Sequence, residues 1–375
     1  FDGDGKAELI CKTAPGTIDG TGKKVVMGSD DPDKSYVNGK GHVISGPEYL
    51  TMFDALTGAE LSTVAFNPPR SIRTASQWGA VQTGTQKSDQ TNRPERYLAA
   101  VAYLDGQHPS LVMCRGYYTA SYVCAWDFDG KNLTQRWLHK SETKNEGLYG
   151  EGAHSLTIGD VDGDGCDEIV YGAACLDHDG KLLYRTGGGH GDALHLGDFV
   201  PDRDGLEVFM VHEEKDTHYP FDAELRDART GEIIWKTKNS KHDIGRGLAG
   251  DISPDYRGYE FWCSDWTKGS ERKVVYGTDG TELYAKQFDM NFRIYWDGDL
   301  QDELFDGRYD KSAKVYNPRI TKPKANLTGT QKTWTVSELS ATPQKAYACN
   351  TTKATPCLQA DILGDWREEL VLWDG

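Results

Sequence analysis

The sequence predicts an all-β protein, and in particular a β-propeller, from its composition and from two elements that recur along the chain. The 375 residues include 42 Gly, 19 Tyr and 10 Trp, which is typical of many short strands joined by turns. Radial repetition of small sheets leaves only short, protected edges, so a propeller accommodates such repeats naturally. We expect one domain over 1–375 with seven to eight blades. A pair of β-sandwiches is the alternative fold.

The first recurring element is a hairpin, in which two alternating apolar stretches flank a Thr-Gly or Asp-Gly pair. Such pairs favour the tight turns that connect antiparallel strands. The last four copies are spaced by about fifty residues, a length that holds roughly four short strands and equals one propeller blade. The copies lie at 52–61, 125–133, 176–184, 225–235 and 275–284.

The second recurring element is an acidic loop that ends in Glu and runs directly into an apolar strand. Most copies precede one of the hairpins, so loop and hairpin together define the repeating unit. A weaker relative at 103–113 has lost the later carboxylates. The copies lie at 1–10, 160–171, 198–209, 251–262, 297–305 and 361–372.

The fullest loop, D-V-D-G-D-G-C-D-E at 160–168, predicts a calcium site. Alternating carboxylates and a backbone carbonyl suit a hard cation, but an EF-hand places its Glu twelfth, whereas Glu168 is ninth. The ion would therefore pin a loop between strands, and several such ions would stabilise the fold. The predicted ligands are Asp160, Asp162, Asp164, Cys166 and Glu168; Asp2, Asp4, Lys6 and Glu8; Asp198, Asp202, Asp204 and Glu207; Asp251, Asp255 and Glu260; Asp297, Asp299 and Glu303; and Asp361, Asp365 and Glu368.

Charge and cysteine content limit the partners and the compartment. A net charge of -16 argues against nucleic-acid binding, which needs a basic face. The sequence contains no run of eighteen apolar residues, the length that a membrane-spanning helix needs. Six of the eight cysteines form close pairs, and short-range pairs are compatible with local disulfides in an exported protein. We therefore expect a secreted or extracytoplasmic protein. The pairs are Cys114 and Cys124, Cys166 and Cys175, and Cys349 and Cys357.

Histidines beside acidic residues form a second kind of cluster. They occur in G-E-G-A-H-S-L at His154, in G-G-G-H-G-D-A-L-H at His190, Asp192 and His195, and in M-V-H-E-E at His212, Glu213 and Glu214. Equivalent strand ends meet on one face of a propeller, so these segments predict either a metal or substrate site or a set of structural histidines. Two cations in tight turns, Arg246 and Lys353, are candidates for binding a carboxylate, with solvated surface charge as the alternative.

The motifs in order along nearly the whole chain resemble the rhamnogalacturonan lyases of polysaccharide lyase family 11. They are C-K-T-A-P-G-T-I-D-G, G-P-E-Y-L-T-M-F-D, L-A-A-V-A-Y-L-D-G, R-G-Y-Y-T, D-V-D-G-D-G-C-D-E-I-V-Y-G-A, G-H-G-D-A-L-H, N-F-R-I-Y-W-D-G-D-L and A-D-I-L-G-D-W-R-E-E. The resemblance implies an eight-bladed propeller rich in calcium. It also implies pectin degradation, by β-elimination between rhamnose and galacturonate in rhamnogalacturonan I.

The resemblance also implies a set of site residues. The cleft metal site of the family matches His154, His190, Asp192 and Glu213, with His190 also facing substrate. Its N-G-T-K turn matches Asn350, Thr351, Thr352 and Lys353, with Thr in the Gly place, and its substrate-facing arginine matches Arg246. The family continues beyond both ends of this chain, downstream with a substrate-contacting tyrosine. Segment 78–93 replaces a shorter W-G-D-x-x-G-N-R stretch, and the close cysteine pairs depart from the family pattern.

β-Elimination requires a neutralised uronate carboxylate, a base for the C5 proton and a leaving C4 oxygen. We expect the cleft cation and Arg246 to neutralise the carboxylate and Lys353 to act as the base. The group that donates a proton to the leaving oxygen is unassigned. Two alternatives are a non-catalytic, calcium-stabilised carbohydrate-binding propeller and, from the repeat at 223–235, a quinone-dependent dehydrogenase. The expected partner is the polysaccharide alone, bound by a monomer, and endo or exo cleavage is left open.

Overall fold

The computed structural model describes residues 1–74, 77–78, 93–213, 221–264, 274–286, 288–326, 333–339 and 346–374. These residues form two compact units, one comprising 1–190 with 229–231 and the other 191–228 with 232–375. Strands dominate both units, and the helices of the described residues are two short 3-10 turns, Arg70–Ile72 and Thr351–Lys353. The all-β prediction is therefore confirmed.

The first unit contains three antiparallel sheets whose strands follow chain order. The first sheet has three strands and the other two have four each. Its strands are β1 Glu8–Thr13, β2 Tyr49–Asp54 and β3 Glu60–Ala65; β4 Tyr97–Ala102, β5 Ser110–Arg115, β6 Ser121–Phe128 and β7 Leu133–Ser141; and β8 Thr157–Gly159, β9 Glu168–Val170, β10 Ala174–Leu176 and β11 Leu182–Arg185.

The second unit contains three four-stranded antiparallel sheets and two strand pairs, β24 with β27 and β25 with β26. Its strands are β12 Ala193–Gly197, β13 Glu207–Val211, β14 Ala223–Asp227 and β15 Ile233–Lys236; β16 Arg246–Gly250, β17 Glu260–Ser264, β18 Val275–Tyr276 and β19 Glu282–Tyr284; β20 Phe292–Ile294, β21 Glu303–Asp310, β22 Val315–Asn326 and β23 Thr333–Glu338; and β24 Ala346–Tyr347, β25 Leu358–Ala360, β26 Glu369–Val371 and β27 Trp373–Asp374.

Each repeated sequence element has a fixed place in these sheets. In the four-stranded sheets, acidic loops such as 160–168 and 251–260 connect the first strand to the second. The Asp-Gly and Thr-Gly turns connect the third strand to the fourth, as at 177–181 between β10 and β11. A register shift accompanies these hairpins, because the fourth strand has one extra residue opposite the third, Leu183 in β11 and Ile234 in β15. The repeat inferred from sequence thus corresponds to one sheet.

The cores lie between neighbouring sheets of the same unit. Side chains alternate along a strand, so a strand with no solvent-exposed face contributes to two cores. In β5, Val112 and Cys114 pack with Ile169 of the following sheet, whereas Met113 packs with Leu50 of the preceding one. The second unit repeats this arrangement along β17, whose successive residues enter different clusters. Continuous apolar runs such as S-L-V-M-C therefore form central, fully buried strands.

His195 links two sheets of the second unit and has a structural role. Its Nε2 lies 3.0 Å from the carbonyl oxygen of Gly247 in β16, and its ring stacks beside Phe209. Burial lowers the pKa of His195 to about 4, an effect that the hydrogen bond to Gly247 only partly offsets.

This lowered pKa predicts acid sensitivity of the second unit. The unfolded chain binds a proton at His195 below pH ~6.5, whereas the folded chain binds it only near its own pKa. The stabilisation present above pH ~6.5 should therefore be lost as pH falls towards 4, by on the order of 3 kcal/mol. Thermal melting of the wild type and His195→Gln between pH 7 and 4 tests this, with exposed His108→Gln as control. Equal slopes for both variants and the wild type would contradict it.

Among the described residues, no helix has the length and apolar character needed to cross a membrane.

Candidate functional site

Two histidines predicted as metal ligands lie against each other in the first unit. The rings of His154 and His190 are 4.9 Å apart between centroids, nearly perpendicular, and ligand nitrogens of the two lie within 4.8 Å. His190 is buried and His154 is half-buried. The sequence separates these residues by more than thirty positions, so the fold creates this pair.

Backbone contacts fix the orientation of His190. Its Nδ1 lies 2.6 Å from the carbonyl oxygen of Gly152, which can only accept, so Nδ1 carries the proton and a neutral ring keeps its lone pair on Nε2. Gly152 leaves room for the side chain of Tyr117, because a Cβ at Gly152 would lie 2.4 Å from Cβ of Tyr117. Glu151 accepts the N–H of Gly189 at 3.0 Å and pairs with Arg185. The glycine-rich approach to His190 is thus held from both sides.

Two tyrosines, which the sequence reasoning did not select as site residues, complete this cluster. The hydroxyl of Tyr117 lies 3.1 Å from Nδ1 of His154, and that of Tyr118 lies 3.1 Å from Nε2 of the same ring. Tyr118 also packs on His190, at 4.2 Å between ring centroids. Arg93 lies 3.9 Å above the Tyr118 ring, and Arg96 is close by. The sequence feature that could have indicated these tyrosines is the G-Y-Y triplet directly after β5.

The two predicted carboxylate ligands lie together in the second unit. Asp192 directly precedes β12 and Glu213 follows β13, and these antiparallel strands pair Ala193 with Val211. Both carboxylates therefore lie at the same end of one sheet, and their oxygens lie within 4.8 Å. Gly191 makes this end compact, since a Cβ there would lie 1.9 Å from the carbonyl oxygen of Val211. Only one residue separates His190 from Asp192 in the chain.

Lys353 is held on a tight turn beside Asp192. The 3-10 turn Thr351–Lys353 is flanked by Asn350 and Ala354 in left-handed backbone conformations. The ammonium nitrogen of Lys353 lies 2.8 Å from Oδ2 of Asp192. Ala354 is fully buried, which anchors the turn below the lysine. The predicted turn residues and a predicted metal ligand thus meet in one cluster of the second unit.

Arg246 joins the same cluster from the start of β16. Its Nη2 donates to Oγ1 of Thr352 at 3.1 Å, and its Nη1 lies 3.8 Å from Oδ2 of Asp192. Asn291 donates to the carbonyl oxygen of Thr352 at 2.9 Å and so supports the turn from below. Burial lowers the pKa of Arg246, and nearby Asp192 opposes that shift. An arginine stays charged at neutral pH, so two cations here face one carboxylate.

The predicted calcium loops share one pattern of hydrogen bonds. In the loop 160–168, Asp160 Oδ1 accepts the N–H of Gly163 at 2.7 Å, Asp164 Oδ1 accepts the N–H of Cys166 at 2.8 Å, and Glu168 Oε2 accepts the N–H of Val161 at 2.8 Å. The structure brings together three groups of side chains, each with its ligand atoms close together. They are Asp160 with Asp162 and Glu168; Asp164 with Cys166 and His178; and Asp2 with Asp4 and Glu8. The backbone N–H of Lys6 donates to Asp4 in the same way, at 2.8 Å.

Two further loops repeat the glutamate cap. Glu207 accepts the N–H of Phe199 at 2.9 Å, and Glu260 accepts that of Ile252 at 2.9 Å. Burial raises the pKa of Glu260 to about 9 and that of Glu168 to about 7. In these two loops, Asp198 and Asp251 lie at the loop starts, and Asp202 pairs with Arg257. Asp204 and Asp255 are exposed.

In the last loop the capping glutamate is Glu369 and not the predicted ligand Glu368. Ile362 and Leu363 donate their N–H groups to Glu369 at 2.8 and 3.1 Å, and Asp361 accepts the N–H of Gly364 at 2.6 Å. Asp365 accepts the N–H of Arg367, as Asp164 does that of Cys166. Glu369 therefore has the position of Glu168, whereas the predicted Glu368 faces Tyr295 and Gln359. Counting eight residues from the first aspartate would have identified Glu369.

The cysteine pairs differ in their surroundings. Cys114 and Cys124 project from opposite faces of their sheet into different cores. Cys175 is buried in β10, while Cys166 lies in the acidic loop beside His178. Cys349 and Cys357 share a hydrogen bond between their thiols. The backbone N–H of Cys349 also donates to the carbonyl oxygen of Thr355 at 2.8 Å. This third pair flanks the Lys353 turn.

We predict that Cys349 and Cys357 alone among these pairs form a disulfide. Oxidised glutathione exchanges with one thiol, the second thiol then displaces glutathione, and two reduced glutathiones leave. Differential alkylation and peptide mapping should place one disulfide at this pair, absent in Cys349→Ser. Alkylation of both thiols after oxidation would contradict the prediction. Cys124→Ser is the matched control and should leave the pattern unchanged.

Comparison with known proteins identifies the family. Residues 1–374 match the family described as "Rhamnogalacturonan lyase family 11, C-terminal domain". The rhamnogalacturonan endolyase YesW of Bacillus subtilis (strain 168) is 46% identical over 374 residues, which cover 99% of this chain and 53% of that protein. The rhamnogalacturonan exolyase YesX of the same organism is 45% identical over 378 residues, covering 100% and 57%.

Solved structures agree with these matches. The crystal structure of the exotype lyase YesX has a TM-score of 0.87 at 42% identity, covering 100% of this chain and 58% of that one. The rhamnogalacturonan lyase PL11 of Bacillus licheniformis has a TM-score of 0.84 at 45% identity, covering 100% and 57%. This chain spans somewhat more than half the length of the relatives it matches. The resemblance inferred from motifs is confirmed, and the chain belongs to rhamnogalacturonan lyase family 11.

Proposed function

We propose that this chain cleaves the rhamnose–galacturonate linkage of rhamnogalacturonan I by β-elimination. The main support is the cluster of the second unit, in which Lys353 and Arg246 both face Asp192. A pair of cations, one held on a tight turn and one at the start of a strand, suits a substrate that carries a carboxylate on every second sugar. Relatives at 45–46% identity named as rhamnogalacturonan endolyase and exolyase support the same reaction class.

In this proposal the two cations have different tasks. Arg246 is half-buried and donates a hydrogen bond to Thr352, so it binds and orients the uronate carboxylate. Lys353 has a flexible side chain with its ammonium group partly exposed, and its neutral form accepts the C5 proton of that uronate. Asp192 holds Lys353 in place before substrate binds. Asn350, Thr351 and Thr352 present polar groups to the sugar around this turn.

We also propose that His154, His190, Asp192 and Glu213 bind a divalent cation. The hydrogen bond from Nδ1 of His190 to Gly152 supports this fit, because it orients the ring, as partners of metal-ligating histidines commonly do. Two imidazoles with two carboxylates suit a borderline transition metal as well as a harder ion. When bound, the cation would lower the charge on the uronate carboxylate and so acidify the C5 proton.

We further propose an eight-bladed propeller with calcium in the acidic loops. Within the described residues, Oε1 of Glu168 and Oε1 of Glu260 are buried and accept no hydrogen bond, which a bound cation would compensate. Sheets of four consecutive antiparallel strands, packed face to face within each unit, are consistent with blades. We infer a secreted or extracytoplasmic monomer, and the close pair Cys349 and Cys357 is consistent with export.

The calcium proposal predicts a difference between two adjacent glutamates. Glu369→Gln should lose about one calcium ion per chain and melt at a lower temperature, because the amide lacks the charge that binds a hard cation. Glu368→Gln is the matched control, since Glu368 contacts Tyr295 and Gln359 instead. Metal analysis and thermal melting of both variants measure this. Loss of the ion in Glu368→Gln with retention in Glu369→Gln would contradict the assignment.

The function is tested by incubating the protein with rhamnogalacturonan I and following the ultraviolet absorbance of the unsaturated uronate product. Absorbance should rise with rhamnogalacturonan I and stay flat with homogalacturonan, whose backbone lacks rhamnose. Chelation should reduce the rate and added divalent salt should restore it. Binding of rhamnogalacturonan I without any rise would favour the carbohydrate-binding alternative, and a bound chromophore would favour the quinone-dependent one.

A further inference from the structure

One acidic loop of the second unit already contains a cation of the chain itself. The ammonium nitrogen of Lys322, in β22, lies 2.7 Å from Oδ1 of Asp297, 2.5 Å from Oδ2 of Asp299 and 2.7 Å from Oε1 of Glu303. Lys322 is 3% exposed and Glu303 is 1% exposed. The three carboxylates are those that the sequence predicted as calcium ligands.

The loop 297–303 has the same backbone arrangement as the loop 160–168. Glu303 Oε2 accepts the N–H of Trp296 at 2.8 Å, as Glu168 accepts that of Val161. Asp299 accepts the N–H of Gln301 at 3.0 Å, as Asp164 accepts that of Cys166 at 2.8 Å. The two loops thus share these hydrogen bonds. They differ at one end, where Tyr295 stands eight residues before Glu303 and Asp160 eight residues before Glu168, and in the cation that lies between the carboxylates.

That difference appears in the second oxygen of the capping glutamates. Within the described residues, Oε1 of Glu168 and of Glu260 is buried and accepts no hydrogen bond, whereas Oε1 of Glu303 accepts one from Lys322. An ammonium group has three N–H donors, which matches the three carboxylates around it. Calcium needs its oxygen ligands at 2.3–2.6 Å, so it would occupy the space that the ammonium nitrogen fills.

We propose that Lys322 replaces the divalent cation in this loop, so that the loop at 297–303 is stable without metal while the other acidic loops depend on calcium. The contrast with the other loops rests on the calcium sites proposed above, but the lysine contacts do not. A lysine ammonium carries one charge where calcium carries two, and it cannot be removed by chelation. The β20–β23 sheet would thus keep its first connection when calcium is scarce.

Calcium content of purified variants tests the proposal directly. Asp299→Asn should bind as many calcium ions as the wild type, because no ion is present to lose, and Glu168→Gln should bind about one fewer. A deficit of one ion in Asp299→Asn would overturn the proposal. If Glu168→Gln shows no deficit, the calcium proposal for the other loops fails, while the result for Asp299→Asn still decides this one.

Removing the lysine provides the complementary test. Lys322→Ala leaves a cavity lined by three carboxylates, so it should bind one calcium ion more than the wild type. In chelator it should melt roughly 5 °C lower than the wild type, because the buried carboxylates lose their partner. Added calcium should recover most of that loss. The matched control is Lys324→Ala, an exposed lysine of the same strand, which should change neither quantity. Unchanged calcium content and melting in Lys322→Ala would overturn the proposal.

Discussion

Replacing Lys353 with alanine is expected to slow the release of unsaturated uronate from rhamnogalacturonan I by about 10²–10⁴-fold, the usual contribution of a positioned general base. The expectation follows from the placement of the lysine on the rigid turn Thr351–Lys353, where Ala354 is buried beneath it and Asp192 lies 2.8 Å away. The loss should appear in kcat, because binding of the uronate carboxylate depends mainly on Arg246 in this scheme. Initial rates over a range of substrate concentrations measure the effect.

Two controls separate loss of the base from loss of structure. Lys311→Ala removes an exposed lysine from the turn after β21 and should leave the rate unchanged. Thermal melting of Lys353→Ala should match the wild type within a few degrees, since the side chain is partly exposed. Lys353→Arg keeps the charge and the pair with Asp192 but cannot act as a base at neutral pH, so it should be as slow as alanine. Turnover near the wild-type value in either variant would remove Lys353 from the mechanism.

Much of the fold could be predicted from sequence because each repeat carries its own local signals. Thr-Gly and Asp-Gly pairs fixed the hairpins, and a glutamate before an apolar run fixed the start of strands such as β9 and β17. These signals act over a few residues and do not depend on the rest of the chain. The same locality explains why the sequence selected Glu368 where the structure has Glu369 as the cap: two adjacent glutamates follow the loop, and only the hydrogen bonds from Ile362 and Leu363 distinguish them.

The parts of the site that depend on distant contacts were less predictable. His154, His190, Asp192 and Glu213 were singled out as histidines beside acidic residues, but only the family resemblance combined them into one set of ligands. Tyr117 and Tyr118 were missed, because a tyrosine pair after a strand is more often core than site. Lys322 was missed because nothing around it in sequence is acidic. Its partners are Glu303, at the start of β21, and two aspartates of the loop before that strand, and the register of β21 with β22 places Lys322 beside them.

The second large effect is expected from His190→Asn, which should reduce turnover by at least about 100-fold and lower the metal content by one divalent ion per chain. Asparagine is the informative replacement because its amide nitrogen takes the place of Nδ1. It can still donate to the carbonyl oxygen of Gly152, so the glycine-rich loop stays anchored. What is removed is Nε2, the ligand atom. Metal analysis and the ultraviolet assay on the same preparation measure both quantities.

Comparison of His190→Asn with His190→Ala separates ligation from anchoring. Alanine removes both nitrogens from a buried position beside Tyr118, so it should lower the melting temperature as well as the turnover, whereas asparagine should mainly lower the turnover. Excess divalent salt should partly restore His190→Asn, since His154 nearby and Asp192 and Glu213 in the second unit keep their ligand atoms. A full metal complement together with wild-type turnover in His190→Asn would mean that the histidine pair is structural. The anionic substrate would then be bound by Arg246 and Lys353 without help from a cation at these histidines.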